Sequence, residues 1–110
     1  MSDGSPLGSF EEQVMVAVLH AGDDSYGMNV RREIEHRTGR EVAIGAVYAT
    51  LDRLEAKGLV SSKRVAATGA SRRIFRVTTT GRVALVETRG MRDRLWAGID
   101  LRRLGVLGNT

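Results

Sequence analysis

The order of patterns along the chain predicts a mainly α fold with one small β-hairpin. Three observations carry that reading. Ile44, Val47, Leu51 and Leu54 recur at helical spacing and run up to Gly58, which marks a helix stop. A second amphipathic stretch, YGMNVRREIEHRTG, precedes them across the short turn Arg40 to Ala43. Two β-favouring runs around a Gly-containing loop follow, and a last helical pattern of roughly 25 residues closes the chain.

At 110 residues, 42% hydrophobic and 5% aromatic, the chain suits one domain with a modest core. Seventeen Lys and Arg against 13 Asp and Glu leave a net charge of +4. Arg supplies most of the positive charge, and its planar fork suits phosphates and base edges. A basic balance by itself also fits RNA or a membrane surface. With no cysteine, disulfides, thiolate catalysis and Cys-based metal sites are excluded. His20 and His36 fall near the ends of two different helices, which suits a surface or helix-dipole role better than a metal. No cofactor is expected. No apolar run approaches the roughly 20 residues of a membrane span, and no signal-peptide pattern opens the chain, so a cytoplasmic protein is expected.

Residues 1–8, MSDGSPLG, read as a flexible arm. Ser9 and Glu12 have the spacing of a capping box, opening a helix to about Ala21 with Phe10, Val14, Ala17 and Val18 on its buried face. Met15, Val16 and Leu19 widen that apolar surface, which suggests burial on more than one side. The second helix ends at Gly39, with Val30 and Ile34 inward and Arg31, Arg32, Glu35 and His36 toward water. The short turn before the third helix makes the two close neighbours, the layout of a helix-turn-helix. Opposite the third helix's apolar stripe lie Gly45, Ala46, Ala49, Asp52 and Arg53, a small and polar face able to press on a grooved partner. Ala43, just before it, cannot cap the helix amides.

Strands are expected from Leu59 to Arg64 and from Arg73 to Thr78, with VAATGAS as the loop. Lys63, Arg64, Arg72, Arg73 and Arg76 surround that loop. A helix-turn-helix followed by a basic hairpin is a winged helix, here residues 9–79. In that arrangement the third helix enters the major groove of double-stranded DNA and the hairpin touches phosphates or the minor groove. Cationic residues guarding a sheet edge are the plain structural alternative.

Thr78, Thr79 and Thr80 offer caps for the last helix, residues 80–105, leaving 106–110 as a flexible tail. Met91, Leu95 and Ile99 lie four apart, with Val83, Val86 and Trp96 nearby. A helix reaching this far beyond its domain needs a partner for its apolar stripe, and a second copy of the chain is the natural one. A homodimer would present two third helices to half-sites about one DNA turn apart, roughly 34 to 36 Å.

Tyr26-Gly27, Tyr48 with Leu51 and Leu54, Gly58-Leu59, and RIFRVTTTGR closely resemble the amino-terminal domain of PadR-type transcriptional regulators over about Phe10 to Leu85. The resemblance implies a bacterial winged-helix dimer that represses genes, often genes for detoxification or drug export. It implies that Tyr26 and Tyr48 lie near the DNA backbone, and it leaves the Ser that often caps the third helix replaced by Ala43. The short carboxy-terminal part is similar to the subgroup with a single dimerisation helix. In some such proteins aromatic residues there line a pocket for flat hydrophobic ligands, a part that Trp96 would share with Met91, Leu95 and Ile99, alongside Phe10 and Met15 at the dimer surface. Trp96 as plain dimer packing is the alternative.

The expected function is therefore a dimeric, sequence-specific repressor at an inverted-repeat operator, released by a small hydrophobic or aromatic effector. Its DNA-facing set is Tyr26, Gly45, Ala46, Tyr48, Ala49, Arg53, Lys63, Arg64, Arg72 and Arg73. A winged-helix module that meets an acidic protein surface, without specific duplex binding, is the alternative. An enzyme is not expected, since no paired-His spacing, phosphate-cradling glycine motif or nucleophile with a base is present.

Overall fold

A computed structural model describes residues 6–67 and 69–106. Helix α1 spans Ser9–Ala21, and a single 3-10 turn, Gly22–Asp24, leads to α2, Gly27–Thr38. Helix α3 covers Ile44–Ala56, strands β1 and β2 cover Val60–Ala67 and Ala70–Val77, and α4 covers Thr79–Trp96. A second 3-10 turn, Leu101–Leu104, follows. The mainly α architecture with one two-stranded antiparallel hairpin is the predicted one.

One core joins every helix to the hairpin. Val14, Met15, Ala17 and Val18 of α1 meet Val30 and Ile34 of α2, Val47, Leu51 and Leu54 of α3, Val60, Phe75 and Val77 of the hairpin, and Ala84 and Leu85 of α4. Removing these apolar surfaces from water drives the packing, at about 25 cal/mol per Å². Phe75, fully buried, contributes an aromatic ring to this cluster. Gly58 ends α3 in the left-handed region, with the Gly58 and Leu59 amides donating to Glu55 and Leu54 carbonyls, both at 2.9 Å.

Several local expectations need correction. The cap of α1 is Gly8, not Ser9: the Glu11 carboxylate accepts from the Gly8 amide at 3.0 Å, and Glu12 instead pairs with Arg92 of α4. The arm is docked where it is described, because the Leu7 amide donates to the buried Thr88 hydroxyl at 3.1 Å and Leu7 packs on the core. Residues 1–5 lie outside the described residues. The strands are longer than expected, since antiparallel pairing continues through Val65↔Arg72 and Ala66↔Ser71 to Ala67↔Ala70. Tyr26 is the residue preceding α2 and not its first turn.

The largest departure is at the end of α4. The helix stops at Trp96 after 18 residues, about 27 Å at the standard rise, and does not reach 105. Ala97 leaves helical geometry and Gly98 takes φ +84°, a conformation that side-chain-bearing residues resist. Ile99 therefore lies beyond the helix and does not extend the Met91 and Leu95 row.

Candidate nucleic-acid interface

Helix α3 turns Val47, Thr50, Leu51 and Leu54 inward. Its outward arc is then set by the 3.6-residue period. Gly45, Ala49, Asp52 and Ala56 occupy the middle of that arc, Ala46 and Arg53 one flank, and Tyr48 the other, and all of them are exposed. Small side chains along the centre let another surface approach the helix backbone. No side chain caps the start of α3, as Ala43 predicts. Arg53 donates to the Thr50 hydroxyl at 3.0 Å, which lays its stem along the helix.

Tyr48 and Tyr26 meet this surface through Gly27, whose role sequence reasoning did not identify. Gly27 is buried, and a methyl group on it would collide with the Tyr48 ring and hydroxyl. The missing side chain is what seats the phenol at the start of α2. Tyr26 in turn carries the Arg72 guanidinium 4.2 Å from its ring centroid, a cation–π contact that joins β2 to the beginning of α2. Arg72 thus touches Tyr26, the neighbour in sequence of the Gly27 on which Tyr48 of α3 is seated.

Further bonds fix the hairpin to the rest of the chain. Buried Ser25 lies beside β2: the Phe75 amide donates to the Ser25 carbonyl at 3.0 Å, and the Ser25 hydroxyl donates to the Phe75 carbonyl. On the α3 side, Arg73 donates to Asp52 at 2.8 Å, to Glu55, and through Nε to the Ser62 hydroxyl at 3.1 Å. Its guanidinium also sits 4.7 Å from the Phe75 ring centroid. The Ser62 hydroxyl, bonded to the Glu55 carboxylate at 2.7 Å, and the Arg73 guanidinium hold that carboxyl below the ordinary glutamate range. Burial works against the Arg73 charge, but Asp52 and Glu55 outweigh it and hold the guanidinium still more firmly protonated.

Arg73 therefore differs from Lys63, Arg64 and Arg72, because its donors are taken up by α3 carboxylates, and Arg76 in turn pairs with Asp23 at 3.5 Å. Lys63 and Arg64 are exposed and have no acidic partner among the described residues, and Arg72 has only the Tyr26 ring. Asp52 and Glu55, three apart on α3, were the available sequence signal for this arrangement. Lys57 and Glu11, bonded at 2.8 Å, form a further tie between α3 and α1.

The expected partner-facing residues are divided. Met15 is completely buried within the protomer core, so it cannot line a surface for a second chain or a ligand in this packing. Phe10 is half-buried against that core. Leu95 is 73% exposed, Trp96 50% and Ile99 52%, and Met91 is also exposed. Among the described residues no group of three His, Cys, Asp or Glu gathers to hold a metal, and no helix is long and apolar enough to cross a membrane.

Comparison with known proteins identifies the family and the fold. Residues 15–87 match the model of the transcriptional regulator PadR-like family. Transcriptional regulator Rv3488 of Mycobacterium tuberculosis is 38% identical over 84 residues, which is 74% of this chain and 78% of that protein. The structure of RosR from H. salinarum superposes with a TM-score of 0.71 at 26% identity, covering 96% of this chain and 91% of that one. A PadR family transcription regulator from Clostridium difficile shares the fold, with a TM-score of 0.62 at 22% identity over 91% of this chain and all of that one.

Proposed function

The chain belongs to the PadR-like family of transcriptional regulators, and we propose that it represses transcription as a homodimer bound to an inverted-repeat operator in double-stranded DNA. The observation that carries this reading is the exposed arc of α3 together with exposed hairpin cations that have no acidic partner among the described residues. Gly45, Ala46 and Ala49 leave room for a groove wall, and Arg53 and Tyr48 stand on either side of them. Lys63, Arg64 and Arg72 hold the phosphates beside that groove. Phosphate contacts position the protein and α3 reads base edges.

The homodimer is supported by surface that one chain leaves in water. Met91, Leu95, Trp96, Ile99, Leu101 and Leu104 are all exposed at the far end of α4 and just after it. So many exposed apolar side chains in one short segment support an interaction site there, and a two-fold contact is the usual solution. The same segment supports a small hydrophobic or aromatic effector that inserts beside Trp96 and releases the operator.

Fluorescence anisotropy with the duplex upstream of its own gene and a scrambled control, across a salt series, tests the reading. Selective binding is expected for the wild type. Lys63→Ala/Arg64→Ala/Arg72→Ala should weaken binding to both duplexes and flatten the salt dependence by about 0.9 for each phosphate that the variant no longer neutralises. Equal, weak binding of the wild type to both duplexes would favour a basic protein-interaction surface instead.

A further inference from the structure

Arg73 lies on a basic hairpin yet points its charge at the neighbouring helix. Helical spacing sets Asp52 in the middle of the outward arc of α3, between Gly45, Ala49 and Ala56, with Glu55 at the rim. A carboxylate at that place opposes any polyanion that approaches the helix. The side chain of Asp52 is 60% exposed and that of Glu55 33%, so neither is hidden by burial. Arg73 meets both, and its own side chain is only 29% exposed.

Resting on the DNA-binding reading above, we propose that Arg73 is a positioning residue and not a DNA contact. It offsets one of the two negative charges that Asp52 and Glu55 bring to the recognition face, Arg53 of the same helix balancing the other, and it ties β2 to α3, so that duplex DNA meets a less repulsive face beside a wing of fixed height. The residue type fits the task. A planar guanidinium reaches two carboxylates and the Ser62 hydroxyl at once, whereas an ammonium is a single point charge and cannot span all three. The Phe75 ring beneath the guanidinium restricts its motion further. The phosphate-holding residues of the wing are then Lys63, Arg64 and Arg72, with Arg73 acting through Asp52 and Glu55.

A double-mutant cycle on the full chain separates this role from direct contact. Wild type, Arg73→Gln, Asp52→Asn/Glu55→Gln and the triple variant are titrated onto the duplex upstream of the gene and onto a scrambled duplex across a salt series. Thermal melts check that each is folded. Arg73→Gln is expected to weaken the upstream duplex about tenfold in the wild-type background and less than about twofold when both carboxylates are already neutral. Arg73→Lys is expected to recover part of the loss. Loss of equal size in both backgrounds, with a salt slope reduced by about 0.9 per phosphate, would mean that Arg73 touches DNA and would overturn the proposal.

If Arg73→Gln does not fold, Arg73→Lys decides in the same two backgrounds: a loss confined to the wild-type background supports the proposal, and an equal loss overturns it. A wild type that fails to distinguish the duplexes overturns the DNA-binding reading and the proposal with it. Selective wild-type binding that Arg73→Gln leaves unchanged overturns the proposal alone.

Discussion

Replacing Gly81 with alanine pits two opposing effects against each other, and the structure decides which wins. Ala is favoured over Gly within a helix by about 1 kcal/mol, and Gly81 is the third residue of α4. Its added methyl group, however, would land on the Leu59 carbonyl and come within 2.9 Å of Val77 Cγ1. That carbonyl is backbone and is already engaged, since it accepts the Thr78 amide at 3.1 Å. It cannot swing aside as a side-chain tip would. Overpacking of this kind costs about 1–3 kcal/mol, and weakening the Thr78 bond adds about 1 kcal/mol. The net destabilisation is then about 2 kcal/mol, which in a domain of this size lowers the melting temperature by about 8–16 °C. Gly45→Ala is the control, because nothing lies within 4 Å of its added methyl, so propensity alone acts and the melting temperature should rise by a few degrees. Thermal melts followed by far-UV circular dichroism measure both. Gly81→Ala melting at or above the wild-type temperature would refute the steric argument, and a Gly45→Ala that melts lower would refute the propensity argument.

Three further outcomes are expected. Ser25→Ala leaves the buried Phe75 carbonyl without its hydroxyl donor and should cost about 1–3 kcal/mol in urea unfolding at unchanged slope. The Glu11 carboxyl is held below its ordinary 4.5, first by its bond to Lys57, against the opposing effect of burial. That contribution to stability is complete above pH 4.5 and is lost as pH falls through the lowered value in the folded state, so Glu11→Gln should show a flatter loss of stability than the wild type as pH falls below 4.5. Leu95→Glu puts a charge among the exposed apolar side chains at the end of α4; on the proposed homodimer, sedimentation equilibrium should find the wild type as a dimer and this variant as a monomer, and an unchanged dimer would move the interface elsewhere.

The elements that depend on local patterning were legible in the sequence. Val47, Leu51 and Leu54 announce the buried side of α3 by period alone, and Gly39 and Gly58 mark where α2 and α3 stop. What the chain does at long range was not legible. That Met15 is wholly enclosed while Leu19 of the same helix is 47% exposed depends on which elements close over α1, which no period within α1 reports. Arg73 reads as one more wing cation until the hairpin is placed against Asp52 and Glu55, 21 and 18 residues earlier. The early end of α4 had a local signal in Ala97-Gly98, but the apolar spacing from Met91 to Ile99 points the other way.

Thr78 does more than begin α4. Its hydroxyl accepts the Gly81 amide at 3.0 Å and donates to the Gly58 carbonyl at 2.7 Å, while its own amide is held by Leu59. The end of α3, the base of the hairpin and the first turn of α4 thus share one side chain, and none can fray without loosening the other two. In hydrogen exchange the amides of Leu59, Thr78 and Gly81 should open together, as one cooperative unit with a common free energy. The wing would then be released from the helix before it as part of the same event that releases α4, so that a disturbance arriving along α4 has a mechanical route to the hairpin.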